Sequence, residues 1–262
     1  MKTTIFTMTA ALLLTCGQAS AAYSPELQVK AEQGNAKALL ELGVCFHFGN
    51  GVERNEQEAA KCYRRAAEQG DGHAQCELGF CYQSGKGVEK NLTEAVKWLR
   101  KAAEQGDDDA WEELRKIEKC EEIRKAAEQG DAETQCALGE CYWRGEGVLK
   151  DMQEAIKWYR KAAEQGYARA QYRLGCMYNS GYGVAEDKEE ALRWWRVAAA
   201  QGDALAQNRL GYCYGEGDGV EPDWQQAVQW WRKAAEQGNA DAREALRKIE
   251  KCEEIRKAAE QG

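Results

Sequence analysis

Apolar residues along this chain fall in two clusters that return every 36 residues, with polar residues filling the gaps in the same order each time. Counted from Gly34, Gly70, Gly130, Gly166 and Gly202, apolar side chains recur at positions 5, 9, 12 and 13, then at 26, 27, 30, 33 and 34. Steps of three and four residues mark one face of an α-helix, so each copy predicts two helices, A and B, joined by a short loop. Position 9 is Leu and position 10 Gly in all five copies, from Leu42-Gly43 to Leu210-Gly211. The start of helix B carries Asn or Asp followed three residues later by Glu or Gln: Asn55 with Glu58, Asn91 with Glu94, Asp151 with Glu154, Asp187 with Glu190, Asp223 with Gln226. That is the pattern of a capping box, which satisfies the free amides of a helix start from both directions. Helix B then ends at the glycine opening the next copy, as a left-handed C-cap requires. Asn35, Asp71, Asp131 or Asp203 caps the helix A that follows.

A fixed period of this length predicts a stacked array whose copies share a core, an architecture that offers a binding surface rather than a single catalytic pocket. The paired loop glycines, such as Gly49 with Gly51 and Gly181 with Gly183, look like a phosphate cradle only out of context. A phosphate loop follows a strand and occurs once. These lie between helices five times, as turns that need positive φ.

Two copies, from Gly106 and Gly238, are 24 residues long, lack the glycine loop and carry Arg115 and Arg247 in place of the mid-helix Gly. Leu114 to Gly130 is identical to Leu246 to Gly262, which points to duplication of a block, and neither short copy contains a helix breaker. The chain stops at Gly262, where another copy is due to begin, which fits a truncated frame as well as a finished one. The first residues differ from the rest: Lys2, an apolar run from Ile5 to Leu14, and Ala19-Ser20-Ala21 form a secretory signal peptide cut near Ala21 or Ala22. It is too short to span a membrane. The expected organisation is therefore a signal peptide over 1–22, an N-terminal segment with two copies over 23–105, a shortened seam copy over 106–129, three copies over 130–237, and a shortened terminal copy over 238–262. The expected location is the periplasm or the exterior. Leu13-Leu14-Thr15-Cys16-Gly17 loosely resembles a lipoprotein box, but Thr15 and the better cleavage site downstream argue against a lipid anchor at Cys16.

Charge narrows the partners. With 36 basic against 44 acidic residues the net charge is −8, so the chain lacks the basic surface that phosphate neutralisation needs, and nucleic acid is not expected as a partner.

The combination of Ala at 5, Leu-Gly at 9 and 10, Tyr at 13, Gly-x-Gly-Val, Asp or Asn at 22, Ala at 26 and Trp at 29 resembles Sel-1-like repeats, relatives of tetratricopeptide repeats. It reads clearly in Ala170 to Tyr178 and in Ala191 to Trp195, and covers nearly everything from residue 34 onward. The resemblance implies an all-α solenoid, a right-handed superhelix of helix pairs whose helices A line a concave face for protein partners. It implies an adaptor rather than an enzyme, with many bacterial members acting at the envelope or on host proteins. One cysteine-rich branch of the family is associated with penicillin binding and weak β-lactam hydrolysis, so a β-lactamase-like or peptidoglycan-peptide hydrolase is the alternative. That branch links the end of one helix B to the next helix A by disulfides. The corresponding positions here hold residues such as Ala67 and Gln75, so its scheme does not carry over.

Ten cysteines lie beyond the leader, an even and high count that favours disulfides in an exported protein. Cys45 with Cys62 is the best single pair, because helices folded antiparallel about the loop set positions 12 and 29 opposite each other. Cys62 stands where other copies have Trp98, Trp158, Trp194 and Trp230, residues expected to pack in the core. The two histidines, His47 and His73, are too few and too isolated for a zinc site, and neither a metal nor a cofactor is expected. No Gly-x-Ser-x-Gly, His-Glu-x-x-His or Ser-x-x-Lys occurs, so no catalytic residue is assigned. Asp107 to Asp109 with Glu112 and Glu113 reads as a helix start favoured by the dipole. Large aromatics at positions that vary between copies, Phe48, Phe80, Trp143, Tyr182 and Tyr212, are the candidate partner-binding residues.

Overall fold

The computed structural model describes residues 22–261, and the expected signal peptide with Cys16 lies outside them but for its last residue. Thirteen helices and no strand are found among the described residues. They are α1 (Pro25–Glu32), α2 (Ala36–Phe48), α3 (Glu56–Glu68), α4 (Gly72–Ser84), α5 (Leu92–Glu104), α6 (Asp108–Glu128), α7 (Ala132–Arg144), α8 (Met152–Glu164), α9 (Ala168–Ser180), α10 (Lys188–Ala200), α11 (Ala204–Glu216), α12 (Trp224–Glu236) and α13 (Ala240–Gln261). The full copies are the pairs α2/α3, α4/α5, α7/α8, α9/α10 and α11/α12, and the short copies are the unbroken helices α6 and α13. The chain divides into two compact units, one reaching to Glu118 and taking in Gly147–Leu149, the other formed by Lys119–Glu146 and the chain from Lys150 onward.

Within a copy, helix B docks its position-30 side chain against the mid-helix glycine of helix A. Tyr63, Leu99, Tyr159, Trp195 and Trp231 lie over Gly43, Gly79, Gly139, Gly175 and Gly211, so close that a Cβ on Gly175 falls 2.5 Å from the Trp195 Nε1. The glycine is there for close approach, not for flexibility, and α6, which has no helix B to receive, carries Arg115 at that place instead. The buried aromatic is thus one residue after the tryptophans expected in the core. Trp98 is buried, but Trp158, Trp194 and Trp230 are half-buried at the edge. The Lys101, Lys161 and Lys233 ammonium groups lie 4.0–4.5 Å above Trp98, Trp158 and Trp230.

Copies are joined by polar contacts as regular as the core. A buried glutamine at position 6 of helix A donates from Nε2 to the carbonyl of the preceding helix B, Gln75 to Ala67, Gln135 to Ala127, Gln171 to Ala163 and Gln207 to Ala199, at 3.1–3.2 Å. Its Oε1 in turn accepts from the glutamine that ends its own copy, Gln105, Gln165, Gln201 and Gln237, at 2.6–2.8 Å. On the other side of the joint, Arg64, Arg124, Arg160 and Arg196 donate to the hydroxyls of Tyr82, Tyr142, Tyr178 and Tyr214, each 18 residues on. The glutamine bonds satisfy buried side-chain amides that the close helix packing would otherwise strand.

The capping box is half present. Asn55, Asn91, Asp151, Asp187 and Asp223 accept from the backbone amides of their helix starts, as the sequence predicts. Their own amides are taken, however, by the carbonyl of the position-13 aromatic: Asn55 by Phe46, Asn91 by Tyr82, Asp151 by Tyr142, Asp187 by Tyr178 and Asp223 by Tyr214. The following glutamates pair forward instead, Glu58 with Lys61, Glu94 with Lys97, Glu154 with Lys157 and Glu190 with Arg193. The paired loop glycines all have positive φ, between 64° and 78°, as turns require.

Candidate functional site

Positions 5, 6, 9, 10, 12 and 13 of helix A serve packing and change little, position 7 is buried at Cys76, Cys136 and Asn208, and positions 8, 11 and 14 vary from copy to copy. Position 8 holds Glu41 and Glu77 in the first unit and Ala137, Arg173 and Arg209 in the second. Residues that differ while their neighbours are held constant are the ones free to set specificity.

In the second unit α7, α9 and α11 place Glu140, Trp143, Tyr172, Arg173, Arg209 and Tyr212 on this face. Arg173 is ion-paired through Nε to the Glu140 carboxylate, both side chains being only 19% exposed. Glu140 also reaches Arg144 Nε at 3.4 Å. The Arg173 guanidinium carbon lies 5.4 Å from the centre of the half-buried Trp143 ring, and that of Arg144 lies 5.8 Å from it. A cation over an indole face at this distance holds both in place. Arg209 is exposed and makes no ion pair among the described residues. Tyr212 packs edge-on to Trp231, 5.3 Å between centres, and the exposed Trp224 ring lies 6.2 Å from the same indole.

In the first unit the same face is acidic. Burial, and after it the carboxylates of Asp107 and Asp109, push Glu77 up to about 7, against the opposing pull of Lys86 and His73. His73 Nδ1 lies 3.2 Å from Asp107 Oδ2, and Asp107 Oδ1 accepts from the Ala110 amide at the start of α6, the role the acidic run was expected to play. Folded Glu77 keeps its proton to about 7 while the unfolded side chain loses it near 4.5. Its stabilising contribution is present below 4.5 and lost as the pH rises to 7. Glu77→Gln is therefore expected to match the parent near pH 4 and exceed it by about 1 kcal/mol at pH 8, a figure reduced for solvent access to a half-buried group. Urea midpoints at the two pH values check this, and a variant equally stabilised at both contradicts it.

The expected binding aromatics are not equivalent. Phe48 is exposed at the end of α2, against His47 at 4.7 Å between ring centres. Tyr182 is exposed in the loop after α9. Phe80 packs on the core around Leu99 and Leu114, and Tyr212 on that around Trp231, so each is half committed to the fold. Trp143 packs on the core around Tyr159 while one part stays open. Sequence reasoning passed over Trp111 and Trp224, exposed by 59% and 58%. Both lie in the first turn of their helices, a place that the 36-residue alignment gives no reason to single out. It also passed over Glu140 and Arg173, whose pairing joins two copies and so has no local signature. Cys45 and Cys62 are both buried. No cluster of metal-ligating side chains is found among the described residues, and no helix among them is long and apolar enough to cross a membrane.

The Sel1 repeat model matches residues 36–71, 72–107, 132–167, 168–203 and 204–239. Among solved structures, the chain is similar to a protective antigen present in uropathogenic Escherichia coli strains and displaying an SLR fold. That match has 36% identity over 82% of this chain and 49% of that one, with a TM-score of 0.45, so this chain spans about half the length of the antigen. It is also similar to a Sel1 repeat protein from Oxalobacter formigenes, at 36% identity over 80% of this chain and 76% of that one, TM-score 0.43. Cysteine rich protein B of Helicobacter pylori matches at 26% identity over 47% of this chain and 93% of its own, TM-score 0.40. No curated protein matches. Five matches to the repeat, on helix pairs that repeat the same glycine and helix B cap contacts, place this chain in the Sel1 repeat family.

Proposed function

We propose that this chain is an exported, non-enzymatic scaffold that holds a protein partner on its helix A faces, with the α7, α9 and α11 face of the second unit as the principal contact. Sel1 repeat proteins are commonly protein-interaction scaffolds, which supports the general class. The observation that carries the particular face is the cluster of Trp143, Arg144, Arg173 and Glu140, set on varying positions of an otherwise uniform repeat. Trp and Arg are the side chains that dominate binding energy at protein interfaces, and the unpaired Arg209 beside them suits a partner segment with an acidic residue.

The test is photo-crosslinking from position 143 and position 209, with position 157 on the exposed face of α8 as control. The reading expects one reproducible partner from the first two positions and none from the third; equal yield from all three overturns it. With that partner in hand, Trp143→Ala is expected to raise Kd by about 30-fold, about 2 kcal/mol, while lowering the unfolding free energy by only about 1 kcal/mol. The hydrolase alternative rests on the cysteine-rich branch alone. Incubation with a chromogenic β-lactam separates the two, and no turnover is expected.

A further inference from the structure

Joints between a helix B and the next helix A bring together two residues 21 apart in sequence, and where the Arg–Tyr bond described above is present they stand one turn before its arginine and one residue before its tyrosine. The pairs are Ala60 with Cys81, Val96 with Ile117, Ile156 with Met177 and Leu192 with Cys213, and the two members of each pair lie in one apolar cluster. At the joint of α6 with α7 the same register sets Cys120 against Cys141. The docking there follows the common pattern: Arg124 donates to the Tyr142 hydroxyl at 3.3 Å and Gln135 to the Ala127 carbonyl at 3.2 Å. The two thiols adjoin, close enough for each to shift the proton affinity of the other. Both residues belong to the second unit.

We propose that Cys120 and Cys141 are a disulfide-forming pair that staples α6 to α7, the joint where the repeat replaces an apolar contact with two facing thiols. The pair is distinct from Cys45 with Cys62 and from the helix-end positions of Ala67 and Gln75. The two thiols are unlike. Cys120 is 1% exposed, whereas Cys141 is half-buried and open to a reagent. The neighbouring Cys120 thiol holds the Cys141 thiol below its ordinary pKa, which favours the thiolate that attacks. The oxidant is a small disulfide. Cys141 thiolate attacks one of its sulfurs, forming a mixed disulfide and releasing one thiol. Cys120 then gives up its proton and attacks the Cys141 sulfur, releasing the second thiol. The two protein thiols are oxidised to one disulfide while the reagent disulfide is reduced to two thiols.

The experiment treats the reduced, folded full chain with oxidised glutathione, quenches with iodoacetamide and maps tryptic peptides without reduction. Cys120 and Cys252 lie in identical Cys-Glu-Glu-Ile-Arg peptides, so the mapping uses the Cys252→Ser chain. The expected product joins Cys120–Arg124 to the peptide of Cys141, with fragmentation placing the link on Cys141 rather than on Cys136 of the same peptide. It forms at least ten-fold faster than any other bridge and raises the melting midpoint by roughly 5 °C, since it closes a loop of about 20 residues. Cys120→Ala, which installs the residue Ala60 provides at the equivalent joint, keeps the helical circular dichroism and abolishes both effects. Two alkylated thiols after treatment, a persistent glutathione adduct on Cys141, or a bridge to Cys136 each overturn the proposal.

Discussion

Trp195→Ala is expected to lower the unfolding free energy by about 4 kcal/mol, the largest single effect in this chain. Trp195 is 2% exposed and is the largest fully buried side chain, seated between α9 and α10 with Ala191, Leu192 and Leu210 around it. The indole also donates from Nε1 to the Tyr172 carbonyl at 3.2 Å, so truncation opens a cavity and removes that second bond to a helix carbonyl. The neighbours cannot collapse into the space. The backbone of α9 is held by the Gln171 to Ala163 bond on one side and Arg196 by Tyr214 on the other. Urea unfolding followed by circular dichroism measures the loss. A cost below about 1 kcal/mol contradicts the assignment of Trp195, rather than Trp194 beside it, as the residue that fills the copy. The half-buried Trp194 serves as the internal control, with an expected cost of about 1 kcal/mol for the same substitution.

The contrast between Trp194 and Trp195 also marks how far the sequence could be read. The period, the helix pairs, the caps and the turn glycines are all local, and each recurs five times, so chance similarity is averaged away. Which of two adjacent tryptophans points inward depends on how helix B rolls against helix A. A one-residue error turns a helical position by about 100°, and both residues fit an apolar stripe. The glutamine bonds were hidden for a different reason. Gln75, Gln135, Gln171 and Gln207 are polar residues with no unusual neighbours, and only the docking of the next copy reveals that each satisfies a carbonyl from the last turn of the preceding helix B. The candidate site was half visible. Trp143 stood out as an aromatic at a varying position, but its companions Arg173 and Glu140 lie on different copies and meet only in three dimensions. The capping glutamates show the opposite error. The motif was present, but the amide it was expected to satisfy already had a partner in the position-13 carbonyl.

Gly175→Val is expected to cost about 3 kcal/mol, and the effect is conditional on Trp195. A glycine inside a helix is ordinarily a weakness worth about 1 kcal/mol, so on helix propensity alone any replacement should help. Here a Cβ would sit 2.5 Å from Trp195 Nε1, 2.6 Å from Trp195 Cδ1 and 3.0 Å from the Ala191 carbonyl oxygen, and backbone cannot step aside as a flexible side chain can. Steric conflict therefore outweighs the propensity gain. The sign of the coupling follows directly: once Trp195 is Ala, the added methyls enter the space the indole has left. The Gly175→Val, Trp195→Ala double variant should lose at least 1 kcal/mol less than the sum of the two single losses. Additivity within 0.3 kcal/mol would show that the glycine is not kept small by that indole. The same reasoning accounts for Arg115, which occupies the equivalent place in α6. No position-30 side chain descends on that helix from its own copy, and an arginine that would be impossible at Gly175 is exposed there at no steric cost.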